Sequence, residues 1–334
     1  ILAAYPRSNG PAVACATTGA ALPAGFVNPC PTGQNPTTTF QTFTKNNYTL
    51  QDTTAFSLRI DHKIDDKWSA FGRYSQTPSS SKSPTVGRVT TNEVNTKTFT
   101  LGLVGVISPN FVNDFRFNWS RNESNSFISP SNEDGVTAPT LRSLLPAIAP
   151  VDSFASVSLP GTNVVYQLGI FAENLQRQLH FVDNVTFVKG SHTFKFGADY
   201  RRMTPSYAPR EYVATASLTT LAALVSGTGS VSITAQDQVP LRIENFSFYA
   251  QDSWRMKKRL TIDYGVRWDI NPAPVGTEKP LYSLTGLGDL SLLGRVNAPP
   301  ATTQLSTGKL YPTKYDGIAP RLGIAFNLSE KSGW

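Results

Sequence analysis

Between Asn245 and Asp269 two alternating stretches are joined by a short basic turn. Phe246, Phe248, Ala250 and Trp254 share one parity, and Ser247, Tyr249, Gln251 and Ser253 the other. After Met256-Lys257-Lys258, the residues Leu260, Ile262, Tyr264, Val266 and Trp268 alternate with Thr261, Asp263, Gly265, Arg267 and Asp269. Period-two alternation predicts a strand whose two faces meet different surroundings. One face is bulky and apolar, the other polar, charged or small. Each predicted strand is about ten residues long, the length a tilted strand needs to cross a bilayer.

The unit occurs three more times. Phe56, Leu58 and Ile60 oppose Ser57, Arg59 and Asp61, with a turn at Asp65-Asp66-Lys67 and a return from Trp68 to Gln76. Phe99, Leu101, Leu103 and Ile107 oppose Thr98, Thr100 and Gly102; the turn is Ser108-Pro109-Asn110. Its return sets Phe115, Phe117 and Trp119 against Arg116, Asn118 and Ser120. The third turns near Lys189-Gly190-Ser191, and its return sets Phe194, Phe196, Ala198 and Tyr200 against Lys195, Gly197, Asp199 and Arg201. A further strand is predicted from Pro320 to Leu328, for about nine in all. The fold class expected is all-β, a segment of an antiparallel transmembrane β-barrel.

Short turns alternate with four long linkers, Thr77–Asn95, Glu123–Leu175, Met203–Arg242 and Asn271–Ala319, rich in Ser, Thr, Pro, Gly and Asn. Tight periplasmic turns and long extracellular loops are the asymmetry of outer-membrane barrels. Aromatic residues agree: Trp68, Phe111, Phe187 and Trp254 lie near short turns, and Tyr74, Trp119, Tyr200 and Trp268 at the opposite strand ends. Amphipathic rings settle at both membrane–water boundaries. Asp183 and Asp252 have the lipid-facing parity, which requires either a place near the periplasmic boundary or a β-bulge that shifts the register. The boundary suits Asp252, beside Trp254 and the basic turn.

Composition narrows the picture. Only 40% of the 334 residues are hydrophobic, and no apolar run is long enough for a membrane helix. The net charge of +7 is scattered rather than gathered into a basic run, so no nucleic-acid partner is expected. Arg59, Arg73, Arg116, Lys195, Arg201 and Arg267 instead predict a cationic lumen, partly paired with Asp61, Asp199, Asp263 and Asp269. The opening ILAAYPRSNGPAV has no basic n-region, and the last predicted strand lacks a partner, so an internal piece of a longer protein is expected. The expected organisation is an extracellular loop segment over 1–55, a partial barrel over 56–328 and the start of a periplasmic turn over 329–334.

Candidate chemistry is sparse. Only His62, His180 and His192 are present, with no HExxH, GxSxG, Walker-A or EF-hand spacing. No enzyme, cofactor or metal is expected. Cys15 and Cys30, close together in an exported, loop-rich segment, are read as a disulfide, against two unpaired thiols. The triplets Asn118-Trp119-Ser120 and Asn184-Val185-Thr186 fall inside predicted strands and are incidental. Leu218 to Val225 is an apolar patch in a long loop, expected as a short helix or strand on the rim.

Five segments carry a resemblance: FSLRIDHKIDDKWSAFGRYS, ISPNFVNDFRFNWSR, DNVTFVKGSHTFKFGADYRR, FYAQDSWRMKKRLTIDYGVRWD and APRLGIAF. In this order, over most of Phe56 to Asn327, they resemble the barrel of TonB-dependent outer-membrane receptors, especially the Oar-like group with a carboxypeptidase-regulatory-like domain. The resemblance implies a barrel of about 22 strands, plugged by an N-terminal domain and energised by TonB. Plug and terminal strands are expected outside this chain. The function implied is uptake of a scarce nutrient, a siderophore, carbohydrate or peptide, in the outer membrane of a Gram-negative-type bacterium. The partners are then outer-membrane lipid, the nutrient, and TonB and the plug through other parts of the protein. Two alternatives are a structural or adhesive barrel without transport, and a soluble extracellular β-sandwich binding module.

Overall fold

The computed structural model describes residues 12–14, 39–41, 45–158, 165–208, 212–218, 226, 228–235, 238, 240–285 and 304–327. Cys15, Cys30, the turn over 329–334 and most of the patch from Leu218 to Val225 lie outside them. β1 (Ala12–Ala14) and β2 (Thr39–Gln41) pair with each other. β3 (Leu50–Thr53) and β4 (Phe56–Lys63) run in succession along β5 (Trp68–Thr85). Next come β6 (Arg88–Ser108), β7 (Phe111–Pro130), the short β8 (Phe154–Ser158), β9 (Val165–Lys189) and β10 (His192–Ala208). β11 (Tyr212–Ser217) and β12 (Ser230–Ala235) precede β13 (Leu241–Lys257) and β14 (Leu260–Asn271). The small β15 (Val275–Gly276), β16 (Tyr282–Thr285) and β17 (Gln304–Thr307) lead to β18 (Lys314–Phe326).

The main sheet follows the order β18-β14-β13-β10-β9-β7-β6-β5-β3, every neighbouring pair antiparallel. Among the described residues its outer strands do not pair with each other, so the sheet is open. Pro320 sits in the edge strand β18, where its missing N–H removes no bond from the ladder. Pro205 in β10 still faces Gln176 of β9, while pairing with β13 stops at Met203–Ile243. A residue without a donor thus coincides with the end of one ladder.

Four tight turns, at 64–67, 109–110, 190–191 and 258–259, share one end of the sheet. Asp65 Oδ1 accepts from the N–H groups of Lys67 and Trp68, both at 2.7 Å, which closes the first turn. Gly190 takes φ +61° in the third, a left-handed conformation that suits a residue without Cβ. Adjacent turns are laced together: Val106 N–H donates to Lys67 O at 2.7 Å, Val188 N–H to Asn110 O at 2.8 Å, and Arg255 N–H to Ser191 O at 2.8 Å.

The other end departs from the sequence expectation. Thr77–Asn95 is no loop: β5 continues to Thr85, the chain turns at Val86-Gly87, and β6 starts at Arg88. Likewise β7 runs to Pro130, β9 starts at Val165 and β10 runs to Ala208. These strands have 18, 21, 20, 25 and 17 residues for β5, β6, β7, β9 and β10, well beyond a bilayer crossing. The physical reason is that both faces are polar there. Ser, Thr, Val and Asn still support a ladder, but they lack the apolar alternation that marks a strand.

A small lobe crowns this end. β8 pairs with Val165–Gly169 of β9, β11 lies parallel to β8, and β12 antiparallel to β11. Phe154, Tyr166, Leu168 and Ile128 form its buried cluster, with Leu141, Leu144 and Val213 packed around them. Tyr166 OH donates to Gly87 O at 2.8 Å, tying the lobe to the tip of the β5–β6 hairpin.

Candidate functional site

Register assigns every wall residue to a face, because directly paired residues of antiparallel strands point the same way. One face is apolar and exposed: Leu101 is 41%, Phe196 47%, Tyr264 43% and Val266 43% accessible. Its rings touch across strands, as in Phe117–Phe181, with centroids 5.0 Å apart, and Tyr200–Phe246 at 4.9 Å. The opposite face is a polar field that runs across all the long strands, and it is the candidate site.

Within that field the expected cations and anions sit as follows. Arg59 Nε and Nη2 donate to Asp61 at 2.9 and 2.7 Å, and the guanidinium lies 4.2 Å from the Phe71 ring centroid. Arg73 Nε donates to Ser57 Oγ at 3.1 Å. Arg267 Nε donates to Asp269 at 2.9 Å and its Nη2 to Ser247 Oγ at 2.8 Å, while Ser247 also bonds Asp269. Residues two apart on a strand share a face, so Arg59–Asp61 and Arg267–Asp269 follow from spacing alone. Asp199 is not held by a Lys or Arg: His180 Nε2 lies 3.0 Å from its Oδ1. Arg116 pairs with Asp114 at 3.1 Å, a partner the sequence reading missed although the two-residue spacing was present. Such exposed pairs are screened by water, so they position charge more than they stabilise the wall.

Glycines in the ladder let aromatic rings lie flat across neighbouring strands. A Cβ on Gly102 would fall 2.1 Å from the Phe71 ring, and one on Gly197 2.1 Å from the Tyr249 ring. Tyr249 OH crosses Gly197 to donate to Asn184 Oδ1 at 2.8 Å, linking three strands. Asn118 Nδ2 donates to Oγ1 of Thr100, its direct partner on the neighbouring strand, at 2.9 Å. Lys195, Tyr249, Gln251, Arg267 and Arg321 line a shallow polar depression between β10 and β18. Lys195 and Arg321 have no ion-pair partner there among the described residues, so the depression is cationic. It can attract anionic or hydroxyl-rich groups by charge and hydrogen bonding.

Two acids stand on the apolar face, as their parity requires. No bulge intervenes: the β13–β14 register shifts only between Arg255 and Lys257, beyond Asp252. Asp252 is 4% exposed; Tyr264 OH donates to its Oδ2 at 2.7 Å, and His192 Nδ1 lies 2.7 Å from the same atom. The His192 ring stacks between Phe194 and Trp254, 5.5 and 5.4 Å away. Asp183 accepts from Asn113 Nδ2 at 2.6 Å. Asp252 is therefore covered by neighbouring side chains beside the tight turns, whereas Asp183 stays exposed. Among the described residues no helix is long and apolar enough to cross a membrane.

A family model described as an outer membrane beta barrel domain matches residues 3–332. No curated protein matches the chain. Among solved structures it is similar to the outer membrane transporter YddB from Escherichia coli, at 13% identity and a TM-score of 0.46, over 70% of this chain and 28% of that one. It is also similar to the ferric-catecholate import receptor Fiu from E. coli K12. The open form gives 12% identity and a TM-score of 0.37 over 85% of this chain and 52% of that one; the closed form gives 12% and 0.38 over 85% and 48%. The chain thus spans about half or less of the length of these structures.

Proposed function

Because the chain belongs to the outer membrane beta barrel domain family, we propose that it is part of the wall of a TonB-dependent receptor, of the Oar-like group, that takes up a scarce nutrient. The protein resides in the outer membrane of a Gram-negative bacterium. In this reading the apolar face meets lipid and the polar face lines the lumen of a barrel of about 22 strands. The tight turns are periplasmic, and the long-strand end with its lobe stands outside the cell. The segment over 1–55 belongs to that outside end, where Cys15 and Cys30 form a disulfide. Plug, TonB contact and the remaining strands come from other parts of the protein.

One observation carries the proposal: a continuous, cation-biased polar face lies back to back with a continuous apolar one. A soluble sandwich buries its apolar faces against each other and uses strands of about five or six residues. Here the apolar face has no protein cover among the described residues, and β9 alone has 25 residues. The lumen-facing Lys195, Arg267 and Arg321 lie where an anionic or hydroxyl-bearing nutrient would pass. The work done is binding and passage, with no bond made or broken.

The test uses cells that make the full-length protein, cells that lack it, and cells with the Lys195→Glu/Arg321→Glu variant. Accumulation of a radioiron-labelled siderophore, a labelled oligosaccharide and a labelled peptide is followed with and without TonB. Transport requires TonB-dependent accumulation of at least one of these, lost in the deletion and reduced in the variant. Unchanged accumulation of all three in the deletion, with loss of surface adhesion, overturns transport in favour of an adhesive barrel.

A further inference from the structure

Immediately beyond the aromatic boundary on the loop side, the lipid-facing surface turns cationic. Lys97 is two residues past Phe99, Arg121 two past Trp119, and Arg202 two past Tyr200, all keeping the outward parity. Register brings three cations into one row: Lys97 pairs with Arg121, and Arg121 with Arg177. No register shift separates this row from the apolar rows beneath it, Phe99–Trp119–Leu179 and Leu101–Phe117–Phe181. Arg202 continues the belt one row lower on β10, as expected where strands tilt against the membrane plane.

Like charges directly opposite each other destabilise a sheet. The row is only partly compensated within the protein. Arg121 bonds Glu123, yet its Nε is buried without a hydrogen-bond partner. Lys97, Arg177 and Arg202 have no ion-pair partner among the described residues. Glu244 is engaged by Tyr200 OH at 2.9 Å and by Arg242 at 3.7 Å. Glu93 and Glu173 share the face but lie four residues farther along their strands, about 13 Å away. A row that keeps a net positive charge at headgroup height, directly above lipid-facing rings, is complementary to phosphate esters on a lipid.

We propose that Lys97, Arg121 and Arg177 hold the phosphorylated headgroup of an outer-leaflet lipid against the wall. The assignment rests on the orientation given above, with the long-strand end outside. Planar guanidinium groups can take a phosphate bidentately, while Lys97 supplies a point charge beside them. Bound there, the phosphate relieves repulsion along the row and fixes the depth at which the wall sits in the membrane.

The test places the full-length protein in phosphatidylcholine vesicles containing bisphosphorylated lipid A, or the same lipid with both phosphates removed. Lipid retained after mild detergent extraction is counted by native mass spectrometry. The wild type is expected to retain the bisphosphorylated form only, and millimolar inorganic phosphate to compete weakly. Lys97→Gln/Arg121→Gln/Arg177→Gln should lower retention about a hundredfold, from the usual contribution of basic residues at an anionic surface. The charge-matched Lys189→Gln/Lys257→Gln/Lys258→Gln control, at the tight turns, should retain it fully. If the triple variant does not fold, Arg177→Gln alone, at an exposed side chain, should lose about fivefold. Equal retention of the dephosphorylated lipid, or no loss in either variant, overturns the proposal. An epitope inserted at Val86 reports orientation separately: no antibody labelling on intact cells would overturn the assignment to the outer leaflet while leaving the retention result standing.

Discussion

The lobe and the wall bury apolar side chains in opposite ways. In the lobe, Phe154 is 1%, Tyr166 2% and Leu168 0% exposed, packed on each other as in any water-soluble core. In the wall, residues as large as Leu101, Phe196 and Tyr264 are over 40% exposed, because lipid rather than protein completes their surroundings. The same chain therefore carries two hydrophobic systems with different solvents. A substitution that is severe in one can be mild in the other, and this difference separates them experimentally.

The largest effect is expected at Phe154. Phe154→Ala empties the lobe core and should cost about 3–5 kcal/mol, felt as loosening of the lobe. Hydrogen exchange should show β8 and β11 opening while β6 and β7 stay protected; loss of protection throughout would make lobe and wall one cooperative unit. Next, Leu101→Arg should destabilise the full-length barrel in vesicles by about 2–4 kcal/mol if the site is near the bilayer midplane. Thr100→Arg, one residue away on the polar face, should be far milder. The pair Ile262→Arg and Thr261→Arg should behave alike, and the reverse order would mean that the two faces have been exchanged.

Gly102→Val tests the ladder between these extremes. Its side chain displaces the Phe71 ring from the polar face and should cost about 1–3 kcal/mol by overpacking. A compensating Phe71→Ala in the same chain should recover part of this in denaturant titrations; strictly additive losses would exclude the ring–glycine contact as the cause. The smallest effect belongs to Tyr166→Phe, which removes one of two hydrogen bonds to the Gly87 carbonyl and leaves that from Ser131 N–H, for about 1 kcal/mol. It should raise exchange at Ser131, whose N–H shares that carbonyl, without moving the melting transition of the wall.

Legibility in the sequence followed the solvent. Phe99, Leu101 and Leu103 alternate with Thr98, Thr100 and Gly102 because one side meets lipid and the other water, so that half of β6 could be seen in advance. The half from Arg88 to Lys97 is just as regular in its ladder, but both sides are wet and the alternation vanishes. Arg59–Asp61 was visible because two-residue spacing suffices. His180–Asp199 and Tyr249–Asn184 were not, since they depend on which residue of a neighbouring strand lies opposite. The lobe was invisible for a similar reason. Its core joins Ile128, Phe154, Tyr166 and Leu168 from three separate stretches, each too short and irregular to show a period.

The length of the β5–β6 hairpin sets a distance. From Phe99 at the aromatic boundary to Arg88 at the tip there are eleven residues, about 36 Å along the strand. A tilt of about 35–45° leaves roughly 25–30 Å of height. In the orientation proposed above, the sheet rises from the bilayer as a stiff collar, with the lobe braced at its rim by Tyr166. Whatever meets the rim does so well clear of the lipid headgroups, where the thickness and fluidity of the membrane have little leverage on its shape.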